Sequence, residues 1–231
     1  MSLQESSFLN RLETVNLRLR RAAERCGREP PSITLVAVTK KFSALRIREA
    51  YDAGLRHFGE NYVQEFERKR PDLKDLKDAQ YHLIGHLQSN KAKVALDLFQ
   101  VIQTVDSVKL LKRLDSMAEE QGASLEAMIE VKLSDEENKT GAAVEDLPAL
   151  AGAAADCKRV KVTGLMTVPP WSEDAEQSRP YFRKLAKLGR EFGFPKLSMG
   201  MSGDFEVAIE EGAHIIRVGT ALFGPRPKPI T

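Results

Sequence analysis

The chain has 231 residues, of which 42% are hydrophobic and 29% charged, an ordinary composition for a globular protein. The formal net charge is +2 with both signs interspersed, which gives no argument for a nucleic-acid partner. Its apolar runs fall well short of the about 20 residues of a membrane span, and residues 1–10 lack the pattern of a secretion signal. We therefore expect a cytoplasmic protein with no membrane partner. Cys26 and Cys157 have no C-x-x-C spacing and are predicted to be free thiols.

The N-terminal part of the chain predicts one helix followed by a buried strand. From Leu9 to Cys26 apolar residues recur at steps of three and four, which places them on one face of a helix that Gly27 ends. After two prolines, the run Ile33–Val38 is short, apolar and rich in β-branched residues. Such a run is typical of a strand buried on both faces.

After this first strand, short apolar segments alternate with segments of helical periodicity. The seven further predicted strands are Arg56–Phe58, Tyr81–Ile84, Val101–Thr104, Ala127–Leu133, Val162–Met166, Lys196–Ser198 and Ile215–Val218. The predicted helices between them are Ser43–Ala53, Tyr62–Arg70, Lys91–Leu98, Val108–Glu120, Val144–Asp156, Asp174–Glu191 and Asp204–Glu211.

Eight strands in this alternation, without antiparallel hairpin signals, predict one α/β domain over residues 1–231. We expect a single (β/α)8 TIM-type barrel with an extra N-terminal helix. The alternative is a doubly wound open sheet. It fits less well because open sheets need edge strands, which usually show more polar alternation than these runs do.

In a parallel barrel, the residues just after the strands meet on one face, where such proteins place their sites. The candidates at these positions are Lys40, Asn61, His86, Thr104, Asp106, Asn138, Lys139, Met166, Ser202, Gly219 and Thr220.

The segment from Met199 to Asp204 is a candidate phosphate-binding loop. Its two glycines would let backbone amides approach a ligand, Ser202 offers a hydroxyl, and the helix start favours an anion. Gly219 and Thr220 would complete the phosphate site that many barrels build from the loops after strands seven and eight. Taken alone, the pattern also fits an ordinary turn with a helix cap.

Lys40 and Lys41 are placed at the end of the first strand, where alternation would direct one side chain into the barrel and the other outward. A lysine in a water-poor cavity loses its proton more readily and can attack an aldehyde. The alternative is a pair of solvated lysines at the strand end.

Arg217 stands in an apolar strand, where a permanent charge is costly unless it forms a salt bridge or binds a ligand. His82 and His86 are four residues apart, but on a strand and its following loop. Their spacing therefore predicts no metal site.

Six motifs along the chain together resemble the pyridoxal phosphate homeostasis protein family. They occur in colinear order between Thr34 and Gly224, and are Val36–Lys40 (VAVTK), Phe58–Glu65 (FGENYVQE), His82–Lys91 (HLIGHLQSNK), Gly164–Met166 (GLM), Leu197–Ser202 (LSMGMS) and Arg217–Gly224 (RVGTALFG). That family is itself similar to the barrel domain of alanine racemase. The resemblance implies pyridoxal 5′-phosphate (PLP) as the cofactor.

The resemblance also implies a role for matched positions. Lys40 would hold PLP as a Schiff base, Asn61 would lie near the phenolic side of the ring, and Arg217 would face the pyridine nitrogen. Ser202, Gly219 and Thr220 would bind the phosphate, and Met201 and His86 would line the pocket. Asn138 to Gly141 match a family loop without an assigned role. Lys41 departs from the family pattern, in which a small polar residue is more usual.

The function implied by the resemblance is PLP homeostasis, in which the protein buffers PLP and delivers it to apo-enzymes without catalytic turnover. A monomer or weak dimer is expected. One alternative is an amino-acid racemase or related PLP enzyme. Racemisation needs a second base, which alanine racemase takes from a tyrosine in a further C-terminal domain, and we expect no such domain here because the sequence ends shortly after strand eight. The other alternative is a protein-interaction module.

Overall fold

Eight parallel strands close into a barrel in the computed structural model, which describes residues 3–134, 136 and 140–225. Each strand pairs with the next, and β8 pairs with β1 from Thr34↔Ile215 to Ala37↔Val218. The strands are β1 Thr34–Val38, β2 His57–Glu60, β3 Gln80–Leu83, β4 Val101–Val105, β5 Leu125–Glu130, β6 Val160–Met166, β7 Lys196–Ser198 and β8 Ile215–Val218. The predicted closed barrel is confirmed, and the open sheet is wrong because β1 and β8 pair.

Helices lie between the strands and in front of the first one. They are α1 Leu3–Arg25, α2 Ala44–Asp52, α3 Val63–Lys69, α4 Ala92–Leu98, α5 Val108–Glu120, α6 Leu147–Asp156, α7 Arg179–Glu191, α8 Phe205–Glu210 and α9 Thr220–Phe223. The extra N-terminal helix is confirmed, but it begins at Leu3 rather than Leu9. Apolar residues recur periodically only where a helix packs against the core, so this pattern does not detect a polar first turn.

Several predicted elements differ from the structure at their ends, among them two helices and the fifth strand. The segments that begin at Val144 and Ala175 start as 3-10 turns, and α6 and α7 then begin with Pro148 and Pro180 in the first turn. Proline is accepted there because its missing N–H has no intrahelical partner in the first turn. Strand β5 begins two residues before the predicted Ala127 and ends at Glu130.

The core consists of a small cluster inside the barrel and a larger one between strands and helices. The inner cluster contains Val36, Met128, Met166 and Ile215 from four different strands. In the outer layer, α1 packs along α8 and α9, and its Phe8 stacks on Phe223 with ring centroids 5.4 Å apart. Within the described residues, no helix has the length and apolar content needed to cross a membrane.

Candidate functional site

A cavity of about 580 Å³ opens at the end of the barrel where the strands terminate. This volume lies within the range of about 300–1,000 Å³ usual for small-molecule sites. The structure brings all eight predicted site residues together on its wall: Lys40, Asn61, His86, Met201, Ser202, Arg217, Gly219 and Thr220. They come from the ends of β1, β2, β3, β7 and β8, because parallel strands deliver their following residues to one face.

Lys40 lies in a tight turn after β1 rather than in the strand. The strand ends at Val38, and the N–H of Phe42 donates to the carbonyl of Thr39 over 3.0 Å, which closes the turn. Lys41, the next residue, is exposed and has a φ of 65°. Strand alternation was therefore the wrong argument for separating the two lysines. Lys40 lines the cavity and Lys41 does not, because the turn bends the backbone between them.

Asn61 presents an unsatisfied polar atom in the wall of the cavity. Its Oδ1 is buried and has no hydrogen-bond partner among the residues that the structure describes. The neighbouring turn after β3 packs tightly on it, since a Cβ at Gly85 would stand 2.3 Å from the carbonyl oxygen of Asn61. Only glycine allows this approach. A buried amide without a partner is costly, so a polar ligand atom in the cavity would satisfy it.

The loops after β7 and β8 form a cradle of hydrogen-bonding groups around Ser202. The N–H groups of Gly219 and Ala221 donate to Ser202 Oγ over 3.3 and 3.2 Å. The Thr220 residue lies between these two donors and also lines the cavity. Two backbone donors and two hydroxyl-bearing residues thus converge at one place, which suits the oxygens of a phosphate group.

The start of α8 differs from the predicted anion site. Asp204 Oδ1 accepts the N–H of Met201 over 2.6 Å, so a negatively charged carboxylate, rather than a neutral hydroxyl as at Gly219 and Ala221, stands in front of this amide. Gly200 is needed for packing rather than for a ligand, because it has a φ of 92° and a Cβ there would lie 2.5 Å from that of Ala208. The groups that suit an anion are therefore those around Ser202.

Arg217 is 4% exposed and points its guanidinium toward neutral oxygens. Its Nη1 donates to Ser198 Oγ over 2.5 Å and its Nη2 donates to the Thr167 carbonyl over 2.8 Å. No carboxylate lies within ion-pair distance of Arg217 in the part of the chain that is described. Burial lowers the pKa of Arg217 to about 10, which still leaves it cationic at neutral pH.

A chain of hydrogen bonds runs from Arg217 through the barrel to the start of β2. Ser198 Oγ donates to Gln103 Oε1 over 2.6 Å, and Gln103 Nε2 lies 3.0 Å from His82 Nδ1. Burial lowers the pKa of His82 to about 3, so its ring is neutral. Since Nδ1 accepts from Gln103, the ring proton sits on Nε2 and is donated to His57 Nδ1 over 3.0 Å. His82 therefore serves this chain and not a metal site.

His86 and Met201 line the cavity. The Nδ1 of His86 lies 3.4 Å from Asp106 Oδ2, which orients the imidazole. Thr104 and Asp106 are absent from the cavity wall itself, and Thr104 instead donates to the carbonyl of Gly85 over 2.9 Å. Met166 also stays inside the barrel.

Glu130 and Trp171 are among the wall residues that the sequence did not predict. Glu130 ends β5 and is buried; burial raises the pKa of its carboxyl group, and the Thr140 hydroxyl donates to it over 3.1 Å. The signal that singled out Arg217, a charge in an apolar strand, applies equally to Glu130. Trp171 follows β6 and is 79% exposed at the cavity, with no periodic signal to predict it. Asn138 and Lys139 lie outside the described residues.

Comparison with known proteins gives matches over most of the chain. The family model described as alanine racemase, N-terminal domain, matches residues 11–227. A pyridoxal phosphate homeostasis protein from Aquifex aeolicus is 44% identical over 222 residues, which cover 94% of this chain and 97% of that protein. The structure of PipY from Synechococcus elongatus with PLP bound is 42% identical, with a TM-score of 0.79 over 90% of this chain and 100% of that one.

A more distant match concerns the fold alone. Alanine racemase from Corynebacterium glutamicum is 18% identical, with a TM-score of 0.68 over 95% of this chain and 63% of that one. At this identity the likeness indicates a shared barrel and carries no argument about activity.

Proposed function

The chain belongs to the pyridoxal phosphate homeostasis protein family, and from that premise we propose that it binds PLP in the cavity at the barrel mouth. It holds PLP as a Schiff base on Lys40 and takes part in PLP homeostasis by buffering and delivering the cofactor. The observation that carries this proposal is the convergence of Lys40, Arg217 and the Ser202 cradle on one cavity.

The residues present fit PLP group by group. A phosphate requires several donors, and the amides of Gly219 and Ala221 already converge with the Ser202 hydroxyl. A polar substituent on the ring would satisfy Asn61 Oδ1, the buried atom that lacks a partner among the described residues. The aldehyde requires a primary amine, which Lys40 brings to the cavity wall.

Each of these residues has a separate task in binding. When bound, PLP supplies an aldehyde that condenses with a primary amine and releases water. Lys40 provides that amine as the free base, because a protonated ammonium has no lone pair. Ser202, Gly219 and Thr220 bind the phosphate and thereby set the distance of the ring from Lys40. Met201 and His86 restrict access of water to the cavity.

Arg217 is proposed to face the pyridine nitrogen. Because its guanidinium stays protonated at neutral pH, it can donate a hydrogen bond but cannot give up a proton to the ring. A pyridine nitrogen that accepted this hydrogen bond would stay unprotonated, and the ring would then be a weaker electron sink. This favours storage of the cofactor over chemistry that depends on a carbanion.

The alternative is an amino-acid racemase, and one observation favours it. His86 and Glu130 line the cavity together with Lys40, and racemisation needs two bases. We expect no racemisation above that of free PLP. Chiral chromatography of alanine and serine after long incubation with the protein measures this, and protein-dependent racemisation would replace the proposal by the alternative.

The wider setting is part of the same proposal. Residues 1–231 act as a single PLP-binding domain in the cytoplasm, as a monomer or weak dimer, and apo PLP enzymes are the recipients. A net charge of +2 supports the absence of a nucleic-acid partner.

The experiment that tests the proposal traps the Schiff base chemically. The purified protein is loaded with PLP, reduced with borohydride, digested and mapped by peptide mass, with Lys40→Ala and Lys41→Ala as the matched pair of variants. We expect the adduct on Lys40 in the unmodified protein and in Lys41→Ala, and its loss in Lys40→Ala. An adduct on Lys41, or an undiminished one in Lys40→Ala, would show that the wrong lysine was chosen.

A further inference from the structure

The turn that carries Lys40 is held in an unusual conformation. Lys41 is the one non-glycine residue with a positive φ, 65°, among those the structure describes. At this position of a tight turn glycine is the usual residue, because a Cβ crowds the backbone there. Strain of this kind persists only where surrounding contacts hold it, and such places cluster at functional sites.

A group of three charged residues, one buried and two partly buried, lies directly behind this turn. We name it the Glu60–Glu65–Lys69 cluster. The ammonium of Lys69 lies 2.9 Å from Glu60 Oε1 and 2.6 Å from Glu65 Oε1, and the side chains of Glu60, Glu65 and Lys69 are 0%, 25% and 10% exposed. Glu60 ends β2 and the other two lie on α3, within and just after the FGENYVQE motif, in which only Asn61 was assigned a role.

The cluster binds the residues on both sides of Lys40. Before it, the Thr39 hydroxyl donates to Glu60 Oε1 over 2.7 Å, and Lys69 Nζ donates to the Thr39 carbonyl over 3.1 Å. After it, the backbone N–H of Lys41 donates to Glu65 Oε1 over 2.6 Å. The backbone on either side of Lys40 is thus tied to a single charged group, while none of the three charged residues lines the cavity.

Stability alone is a poor explanation for this arrangement. Burying charges costs solvation, and a buried ion cluster is often no more stabilising than well-packed apolar side chains would be. Here burial raises the pKa of Glu60, and Lys69 opposes that rise. Charged side chains, unlike apolar ones, supply directional hydrogen-bond donors and acceptors for the turn.

We propose that Glu65 and Lys69, anchored by Glu60, are positioning residues that hold the Lys40 amine where it can reach a PLP aldehyde. This inference rests on the proposed function. The amine nitrogen of Lys40 forms a bond to the aldehyde carbon, the carbon–oxygen bond breaks, and water leaves with the two amine protons. Such a step depends on placement within about 0.5 Å. Without the Glu65 acceptor, Lys41 can relax to a negative φ, and the Lys40 side chain moves with the turn.

The residues proposed to bind the phosphate come from the loops after β7 and β8, whereas the cluster comes from β2 and α3, so covalent and noncovalent binding can be measured separately. Pyridoxine 5′-phosphate carries a hydroxymethyl group in place of the aldehyde and therefore binds without condensing. For Glu65→Ala we expect the rate of borohydride-trapped adduct formation with PLP to fall about tenfold or more, and the Kd for pyridoxine 5′-phosphate to stay within about twofold. Glu65→Gln keeps an acceptor oxygen and should restore most of the rate.

Glu67→Ala is the matched control, because Glu67 is an exposed glutamate on the same helix. It should leave both measurements unchanged. If Glu65→Ala fails to fold, Glu65→Asp is measured in the same way with the same expectation, since its shorter side chain withdraws the acceptor but keeps the charge beside Lys69.

The inference is overturned if Glu65→Ala weakens both ligands equally, which is the mark of a merely structural role, or if it changes neither. These results are distinct from failure of the proposed function, in which the unmodified protein itself would give no trapped adduct on Lys40.

Discussion

Removal of the Ser198 hydroxyl tests whether the buried hydrogen-bond chain holds Arg217 in place. In Ser198→Ala, Arg217 Nη1 loses its acceptor at 2.5 Å and Gln103 Oε1 loses its donor at 2.6 Å, both inside the barrel. A hydrogen bond to a charged group contributes about 1.5–3 kcal/mol, and an unsatisfied buried oxygen costs about 1–3 kcal/mol. Both costs arise at the same site, where one local rearrangement reduces them together, so they do not add in full. We therefore expect the free energy of unfolding to fall by about 3 kcal/mol.

Thermal unfolding at neutral pH without PLP measures this effect. For a protein of this size, about 2–4 °C of melting temperature is lost per kcal/mol, so Ser198→Ala should melt about 6–12 °C lower. Ser116→Ala is the control, since Ser116 is exposed and its hydroxyl donates to Glu120 over 3.4 Å. Exposed substitutions of this kind change stability by about 0.5 kcal/mol or less.

A double-mutant cycle sharpens the test. Gln103→Leu removes the next member of the chain, so the Ser198→Ala, Gln103→Leu double variant should lose clearly less stability than the sum of the two single variants. If Ser198→Ala melts like Ser116→Ala, or if the two losses simply add, the hydrogen-bond chain does not hold Arg217 and the reasoning is refuted.

Two further predictions concern the phosphate cradle and the buried histidine. Ser202→Asp sets a carboxylate against the phosphate and should weaken PLP binding about tenfold or more. A titration with PLP, followed by the emission of Trp171, the single tryptophan, measures the affinity. Unchanged affinity would remove Ser202 from the site. His82 has its pKa lowered to about 3, so below pH 6.5 the unfolded chain binds a proton that the folded protein does not. The stability that depends on a neutral His82 is therefore fully present above pH 6.5. As the pH falls from 6.5 towards 3, this ionisation lowers the free energy of unfolding by up to about 1.4 kcal/mol per pH unit. Denaturant unfolding from pH 7 to 4 should show a smaller loss in His82→Gln, and equal slopes would contradict the assignment.

The barrel could be predicted from the sequence because its signals are local. The runs that became β7 and β8 were placed without error, and the helix Val108–Glu120 has the predicted bounds. Short apolar runs and the recurrence of apolar residues at steps of three and four depend only on neighbouring residues. Such patterns can therefore be recognised without knowledge of distant contacts. Counting eight such units then implied closure, and closure implied that the residues after each strand would meet at one end.

The internal geometry of the site was decided by the tertiary structure alone. Strand alternation could not separate Lys40 from Lys41, because β1 ends at Val38 and both lie in a turn. The Glu60–Glu65–Lys69 cluster, the partners of Arg217 and the packing role of Gly200 all join residues that are remote in sequence or separated by a turn. Distances between such residues depend on barrel register and loop conformation, and no local pattern of amino acids encodes them. The sequence by itself therefore determined the closed barrel and the eight matched residues at its mouth, while only the tertiary structure decided which other residues line the cavity and which atoms they present there.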